Sequence, residues 1–188
     1  PSAGVAKAAI EKGIETRIDF FSKKFACNLE KKADLIIGNN VLAHVPDIRD
    51  FVQGFKEALK PDGVITVEFP HLLNLIRYNQ FDTIYHEHFS YLSVLAVKRI
   101  FEEQGLKLID IEKLNTHGGS LRVYATHAEN QKQEVSEHVE KLLAEEKEFG
   151  LGENEVYEEF AEKVRQIKLR VLERLVELKK MGNHIVGY

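Results

Sequence analysis

The residues best suited to chemistry are Tyr85-His86-Glu87-His88, set between the apolar Phe81, Ile84 and Phe89. Histidine titrates near neutral pH and can take and return a proton. A carboxylate beside it fixes the imidazole tautomer and raises its basicity. A tyrosine hydroxyl can donate to a developing oxyanion. In an extended segment Tyr85 and Glu87 face one way, and His86 and His88 the other. In a turn that division fails. On the residues alone three readings stand open: a general base with its partners, a metal site, and a surface loop with two ordinary histidines. A His-x-His metal site needs further ligands, and the helical His-Glu-x-x-His pattern is absent, so no metal ligand is assigned.

Other candidates gather at the ends of predicted strands. His44, in Asn39-Asn40-Val41-Leu42-Ala43-His44, lies just beyond the strand predicted at Ala33–Gly38. Ligands of open α/β sheets bind at that carboxyl end, although the position also suits a packing or capping histidine. Asn39 and Asn40 likewise suit a turn, as does Asp19. His71 follows Phe69-Pro70 on the same edge. His117-Gly118-Gly119 reads as a hairpin loop in which glycine supplies positive φ. His127, His138 and His184 read as structural or exposed. Ser90 lacks a Gly-x-Ser-x-Gly elbow, and Cys27 has no histidine near it in sequence. The chain has neither a Gly-x-Gly-x-x-Gly loop nor a phosphate loop.

The elements that must position these residues follow from periodicity. Val5–Lys12 predicts a helix stopped by Gly13, and Ile14–Phe21 a short strand. Ala33–Gly38 is apolar on both faces, as in a parallel sheet covered by helices. After Asp47, residues Phe51, Phe55, Ala58 and Leu59 fall at helical spacing. Lys60-Pro61-Asp62-Gly63 reads as a turn, and Val64–Phe69 as the next strand of a βαβ unit. A helix at about Ser93–Glu103 closes at Gly105. Leu106–Leu114 and Leu121–His127 then form an antiparallel pair, because their link is short.

Beyond Glu129 the texture changes. Val135, Val139, Leu142 and Phe149 share one helical stripe, which Gly150-Leu151-Gly152 breaks. Tyr157, Phe160, Val164, Ile167, Val171, Leu175 and Leu178 then alternate three and four apart, about three heptads of seam. Two helices packed on one another or on another domain are expected there. Gly182 ends the second, and Ile185-Val186-Gly187-Tyr188 reads as the opening of a new strand.

Composition narrows the function classes. The 188 residues are 44% hydrophobic and 30% charged, with a formal net charge of −4. Glu129 to Met181 carries 14 acids and 10 bases, and the remainder 16 of each. That balance argues against a nucleic-acid surface, which needs clustered Lys and Arg. No apolar run approaches the roughly 20 residues of a membrane helix. One cysteine excludes an internal disulfide and suits a reducing, cytoplasmic setting. The apolar run at the carboxyl end reads as part of something longer.

With these pieces together the chain becomes recognisable. Ala33 to Pro70 resembles the fourth and fifth strands of a class I S-adenosylmethionine-dependent methyltransferase, and the hairpin resembles that fold's reversed last strand. Tyr85-His86-Glu87-His88-Phe89-Ser90 and His117-Gly118-Gly119-Ser120-Leu121-Arg122 are similar to motifs of the nucleotide-sugar C-methyltransferases, which act at carbon 3 of 4-keto-deoxysugars. The fold implied is α/β: a partial Rossmann-like sheet ending in an antiparallel hairpin, followed by a helical arm. The resemblance divides the chain into a partial methyltransferase core (1–128), a helical arm (129–182) and the start of a carboxyl-terminal α/β domain (183–188). It places the glycine-rich cofactor loop, and a zinc module with its cysteines, upstream of Pro1.

The same resemblance implies roles. His88 becomes the general base, with Tyr85, Glu87 and His44 as active-site partners. Asp19 and Phe20 fall where such enzymes contact adenine, and Asn39 and Asn40 near the methionine end of S-adenosylmethionine. His71, His117 and Arg122 would line the side of a nucleotide-sugar substrate. No nucleic-acid or membrane partner is implied, and the oligomeric state is monomer or dimer. An O- or N-methyltransferase of the same fold, and a non-catalytic helical interaction fragment, remain as alternatives.

Overall fold

The computed structural model describes residues 2–187. Two short helices, α1 (Ala3–Glu11) and α2 (Lys23–Cys27), precede a single mixed sheet. Strand β1 (Ala33–Asn39) leads through α3 (Ile48–Ala58) to β2 (Leu59–Pro70), which runs parallel to it. Asp47 starts α3 by accepting from the Asp50 N–H, which satisfies one of the helix's free first-turn donors. A short helix α4 (Leu72–Arg77) and then α5 (Val94–Glu103) follow. Strands β3 (Leu106–Leu114) and β4 (Ser120–His127) form the antiparallel hairpin, and β4 adds to β2, giving the order β1-β2-β4-β3.

The core lies on one face of this sheet. Ile65, Val67 and Phe69 of β2 and Leu121, Val123 and Ala125 of β4 alternate inward against Phe55 of α3 and Val97 and Phe101 of α5. Each fully buried side chain of this size contributes about 1.5–3 kcal/mol. Helix α6 (Glu137–Phe149) joins the same core through Val139, Leu142 and Leu143. It ends at Gly150, whose φ of +88° is the left-handed cap that glycine adopts without strain. Helix α7 (Asn154–Lys180) follows.

Several expectations need correction. The strand predicted at Ile14–Phe21 does not form: the segment has no ladder partner among the described residues, and a strand without one leaves its backbone groups unpaired. The Lys60–Gly63 turn is absorbed into β2 as a bulge, because Ala33 pairs with Leu59 while Leu35 pairs with Val64. Leu59 is therefore the first residue of β2. β1 is covered on one face only, with Leu35 and Ile37 53% and 62% exposed on the other. Val135 precedes α6 and is exposed.

The two late helices do not pack along one another. Val156 and Phe160, in the first turns of α7, rest on Leu73, Leu75 and Ile76, and no residue of α7 is buried. Ile185–Gly187 adopts no strand, and Tyr188 lies outside the described residues. Among the described residues no helix is long and apolar enough to cross a membrane.

Candidate active site

Tyr85 to His88 is a turn, so the alternation of an extended strand does not apply. The His88 N–H donates to the Tyr85 carbonyl at 3.2 Å, which folds residue i+3 back over residue i. The Tyr85 hydroxyl consequently meets His88 Nε2 at 3.2 Å, and the two rings lie 4.4 Å apart. Tyr91 steadies the turn from behind. Its hydroxyl accepts from the Tyr85 N–H at 3.0 Å, and its ring stands 5.4 Å from that of His88. The His86 and Glu87 side chains are exposed.

The turn is fastened to the end of β1. A single helical turn, Leu42–His44, follows that strand, and its Ala43 carbonyl accepts from the N–H groups of Phe89 at 2.8 Å and Ser90 at 3.3 Å. His44 Nδ1 donates to the Glu87 carbonyl at 2.9 Å. A carbonyl only accepts, so Nδ1 carries the hydrogen and Nε2 is left for other work. Glu87 thus fixes His44 through its backbone, while its exposed carboxylate acts on His88 as a nearby charge.

His88 is held below the ordinary imidazole range. Burial is the main cause, the neighbouring His44 adds to it, and Glu87 opposes it. The geometry agrees: His88 Nδ1 is buried without a hydrogen-bond partner. Nε2 is the nitrogen that meets the Tyr85 hydroxyl; when it accepts from that hydroxyl the ring is neutral and its one hydrogen sits on Nδ1.

Two cavities meet at His44. The smaller, about 190 Å³, is lined by His44, Tyr85, His88, His71, His117 and Asn40 among others. The larger, about 600 Å³, lies beyond the carboxyl end of β1 and is lined by Asp19, Phe20, Ile37, Asn39 and His44 among others. Asn39 and Asn40, adjacent in sequence, thus face different cavities. Asn40 turns at φ +51°, and His117 at +50°. Non-glycine residues in that left-handed region are uncommon and recur at functional sites. Gly119 shapes the loop beside His117: at φ +108°, a Cβ there would collide with Asn74 Nδ2.

The remaining candidates are placed differently from one another. Arg122 lines neither cavity; it pairs with Glu68 at 3.0 Å across the sheet and lies 3.6 Å from Glu112. His71 does line the smaller cavity, but its Nε2 faces Glu146 at 2.8 Å. Glu146, Tyr91 and Gln80, which lines the smaller cavity and donates to the Gly118 carbonyl at 2.9 Å, are not singled out by the sequence. Glu146 sits in the charge-rich Glu145-Glu146-Lys147-Glu148 run, and its one signal is its place among Val139, Leu142 and Leu143 on the buried face of α6. Among the described residues no three His, Cys, Asp or Glu side chains converge as a metal site.

Comparison with known proteins bears on this arrangement. Residues 4–111 match the family described as a methyltransferase domain, and residues 115–188 the one described as a C-methyltransferase C-terminal domain. The whole chain aligns at 35% identity with the C-methyltransferase NovU of Streptomyces niveus, and it spans 45% of that relative's length. Among solved structures, a SAM-dependent methyltransferase from Thermotoga maritima, described as a possible histamine N-methyltransferase, superposes with a TM-score of 0.52 at 15% identity. The match covers 67% of this chain and 70% of that one. A protein of Pyrococcus horikoshii OT3 gives 0.51 at 14% identity, over 67% and 68% of the two chains. Identities this low speak for the fold alone. The family is carried by the domain match over more than half the chain: this protein belongs to the methyltransferase-domain family, continued by a C-methyltransferase C-terminal region.

Proposed function

We propose that this chain is part of an S-adenosylmethionine-dependent C-methyltransferase that acts at carbon 3 of a nucleotide-linked 4-ketosugar, with His88 as the base. The observation that carries the reading is the Tyr85–His88 pair, set in a cavity that meets a second one at His44. The larger cavity fits the cofactor: Asp19 offers a carboxylate that can accept from the adenine amino group, Phe20 an exposed ring for the adenine face, and Asn39 an amide farther along. Bound there, S-adenosylmethionine supplies an electrophilic methyl group. The smaller cavity is below the roughly 300–1,000 Å³ of most ligand sites, so it suits one sugar ring with the nucleotide outside.

The chemistry follows from the residues. A proton on carbon 3, beside a ketone, is acidic because its loss gives an enolate. Neutral His88 takes that proton at Nε2. The Tyr85 hydroxyl, freed from Nε2 as the proton arrives, donates to the enolate oxygen. His44, its tautomer fixed by the Glu87 carbonyl, holds the turn where the two cavities join. His117 and His71 add polar groups on the sugar side.

The test uses the intact enzyme. With S-adenosylhomocysteine bound and no methyl to transfer, the substrate should exchange its carbon-3 proton for solvent deuterium. His88→Ala should abolish both exchange and turnover. An O-methylated product with no exchange, or full turnover in His88→Ala, would overturn the reading.

A further inference from the structure

His71 and Glu146 are almost completely withdrawn from solvent, at 3% and 0% exposure, and the base chemistry just described does not use Glu146. Glu146 Oε1 accepts from the Val94 N–H at 2.7 Å, and Oε2 from the Leu95 N–H at 2.8 Å. These are free first-turn donors of α5, and a carboxylate there is also favoured by the helix dipole. Two main-chain donors already give this carboxylate one bond on each oxygen, so the helix cap needs no histidine. Yet His71 adds a third bond at 2.8 Å, and an imidazole has been buried to make it. A buried polar ring with a purely structural role normally uses both nitrogens. His71 does not: Nδ1 has no partner among the described residues and, unlike Nδ1 of His88, is not sealed from solvent. The ring lines the cavity that holds Tyr85 and His88.

The backbone of His71 is pinned as well. Its N–H donates to Gly119 at 3.1 Å, its carbonyl accepts from Leu75 at 3.1 Å, and it bridges to Leu92. We infer that Glu146 is a positioning residue: it accepts the Nε2 hydrogen bond of His71 and thereby presents Nδ1 as an acceptor to a hydroxyl of the sugar substrate. The inference rests on the nucleotide-ketosugar reading for the substrate, but not for the geometry.

Two experiments test it. In the nitrogen-15-labelled chain, the neutral His71 ring should be the Nε2–H tautomer, read from its two ring-nitrogen shifts. A neutral Nδ1–H tautomer would overturn the inference. In the intact enzyme, His71→Gln keeps a donor for Glu146 and deletes the nitrogen facing the cavity. Its unfolding transition should match wild type, while kcat/KM for the nucleotide sugar falls about tenfold, the worth of one hydrogen bond. The KM for S-adenosylmethionine should not move. Unchanged kcat/KM for the sugar in an otherwise active enzyme overturns the inference alone. Wild-type enzyme that transfers no methyl to any nucleotide ketosugar overturns the activity reading, and with it the substrate named here, whereas the tautomer still decides the geometry.

Discussion

The rings of His44 and His88 meet edge to face, with centroids 4.6 Å apart. They come from segments separated by 43 residues of chain, and the His44–Glu87 hydrogen bond makes the contact reproducible. Positive charge on His44 this close discourages protonation of His88, which adds to the effect of burial. The contact thus joins two jobs: it aligns the cavities and helps keep the proposed base unprotonated.

The first prediction concerns that base. His88 should titrate below the ordinary imidazole value of about 6.5, followed by its ring-proton shifts. His44→Gln should raise the midpoint, because it removes a neighbouring positive charge; Glu87→Gln should lower it further, because it removes an opposing negative one. The sign carries over to stability. A depressed native value means that the unfolded chain binds the proton first. Stability present above about 6.5 is therefore lost as pH falls through the native midpoint. His88→Asn should lack that part of the acid dependence. A native midpoint at or above 6.5 would remove the electrostatic argument for a ready base.

A second prediction separates the tyrosine from the fold. The Tyr85 side chain is about half exposed and, among the described residues, its hydroxyl meets only His88, so Tyr85→Phe removes little packing. Thermal unfolding should be unchanged. If the hydroxyl stabilises an enolate oxygen, kcat in the intact enzyme should fall about 10²-fold with KM nearly constant, as when one oxyanion donor is deleted. A variant that loses KM alone would make Tyr85 a binding group.

Much of this site is legible in the sequence, because its parts follow from short-range signals. The βαβ unit, the hairpin and the tyrosine–histidine motif each declare themselves within a few residues. What was not legible depends on partners far along the chain. Ile14–Phe21 has strand composition but, among the described residues, no strand beside it. Arg122 stands next to the glycine loop in sequence, yet Glu68 across the sheet claims its charge. Glu146 looks like any acid of a solvated helix until α6 turns it toward the start of α5. Burial of a polar side chain is settled by tertiary contact, and periodicity sees only the helix face.

A third prediction uses that contrast between sequence neighbours. Glu145 pairs with Arg77 at 3.0 Å and Lys113 at 2.6 Å near the surface, while Glu146 is buried with three donors. Glu146→Ala strands two main-chain N–H groups and an imidazole, and should destabilise by about 3–5 kcal/mol in urea unfolding. Glu145→Ala should cost about 1 kcal/mol or less, because its partners return to water. Similar losses at the two positions would contradict the burial of Glu146.

The last prediction concerns α7, whose apolar seam invites the assumption that it is packed throughout. In this chain the contact is made by Val156 and Phe160 against Leu73, Leu75 and Ile76, while Leu172 and Val176 are about half exposed. Phe160→Ala should lower the unfolding free energy by about 1–3 kcal/mol, less than a fully buried phenylalanine would. Leu172→Glu and Val176→Glu should each change it by no more than about 0.5 kcal/mol, apart from a small effect on helix propensity. The cluster that Phe160 joins includes Leu75, and Leu75 also lines the smaller cavity. Loosening the base of α7 should therefore reach the sugar side of the site, and Phe160→Ala should raise the KM for the sugar while Leu172→Glu leaves it alone. Equal destabilisation by the substitutions at both ends of the helix would show that the seam is packed along its whole length.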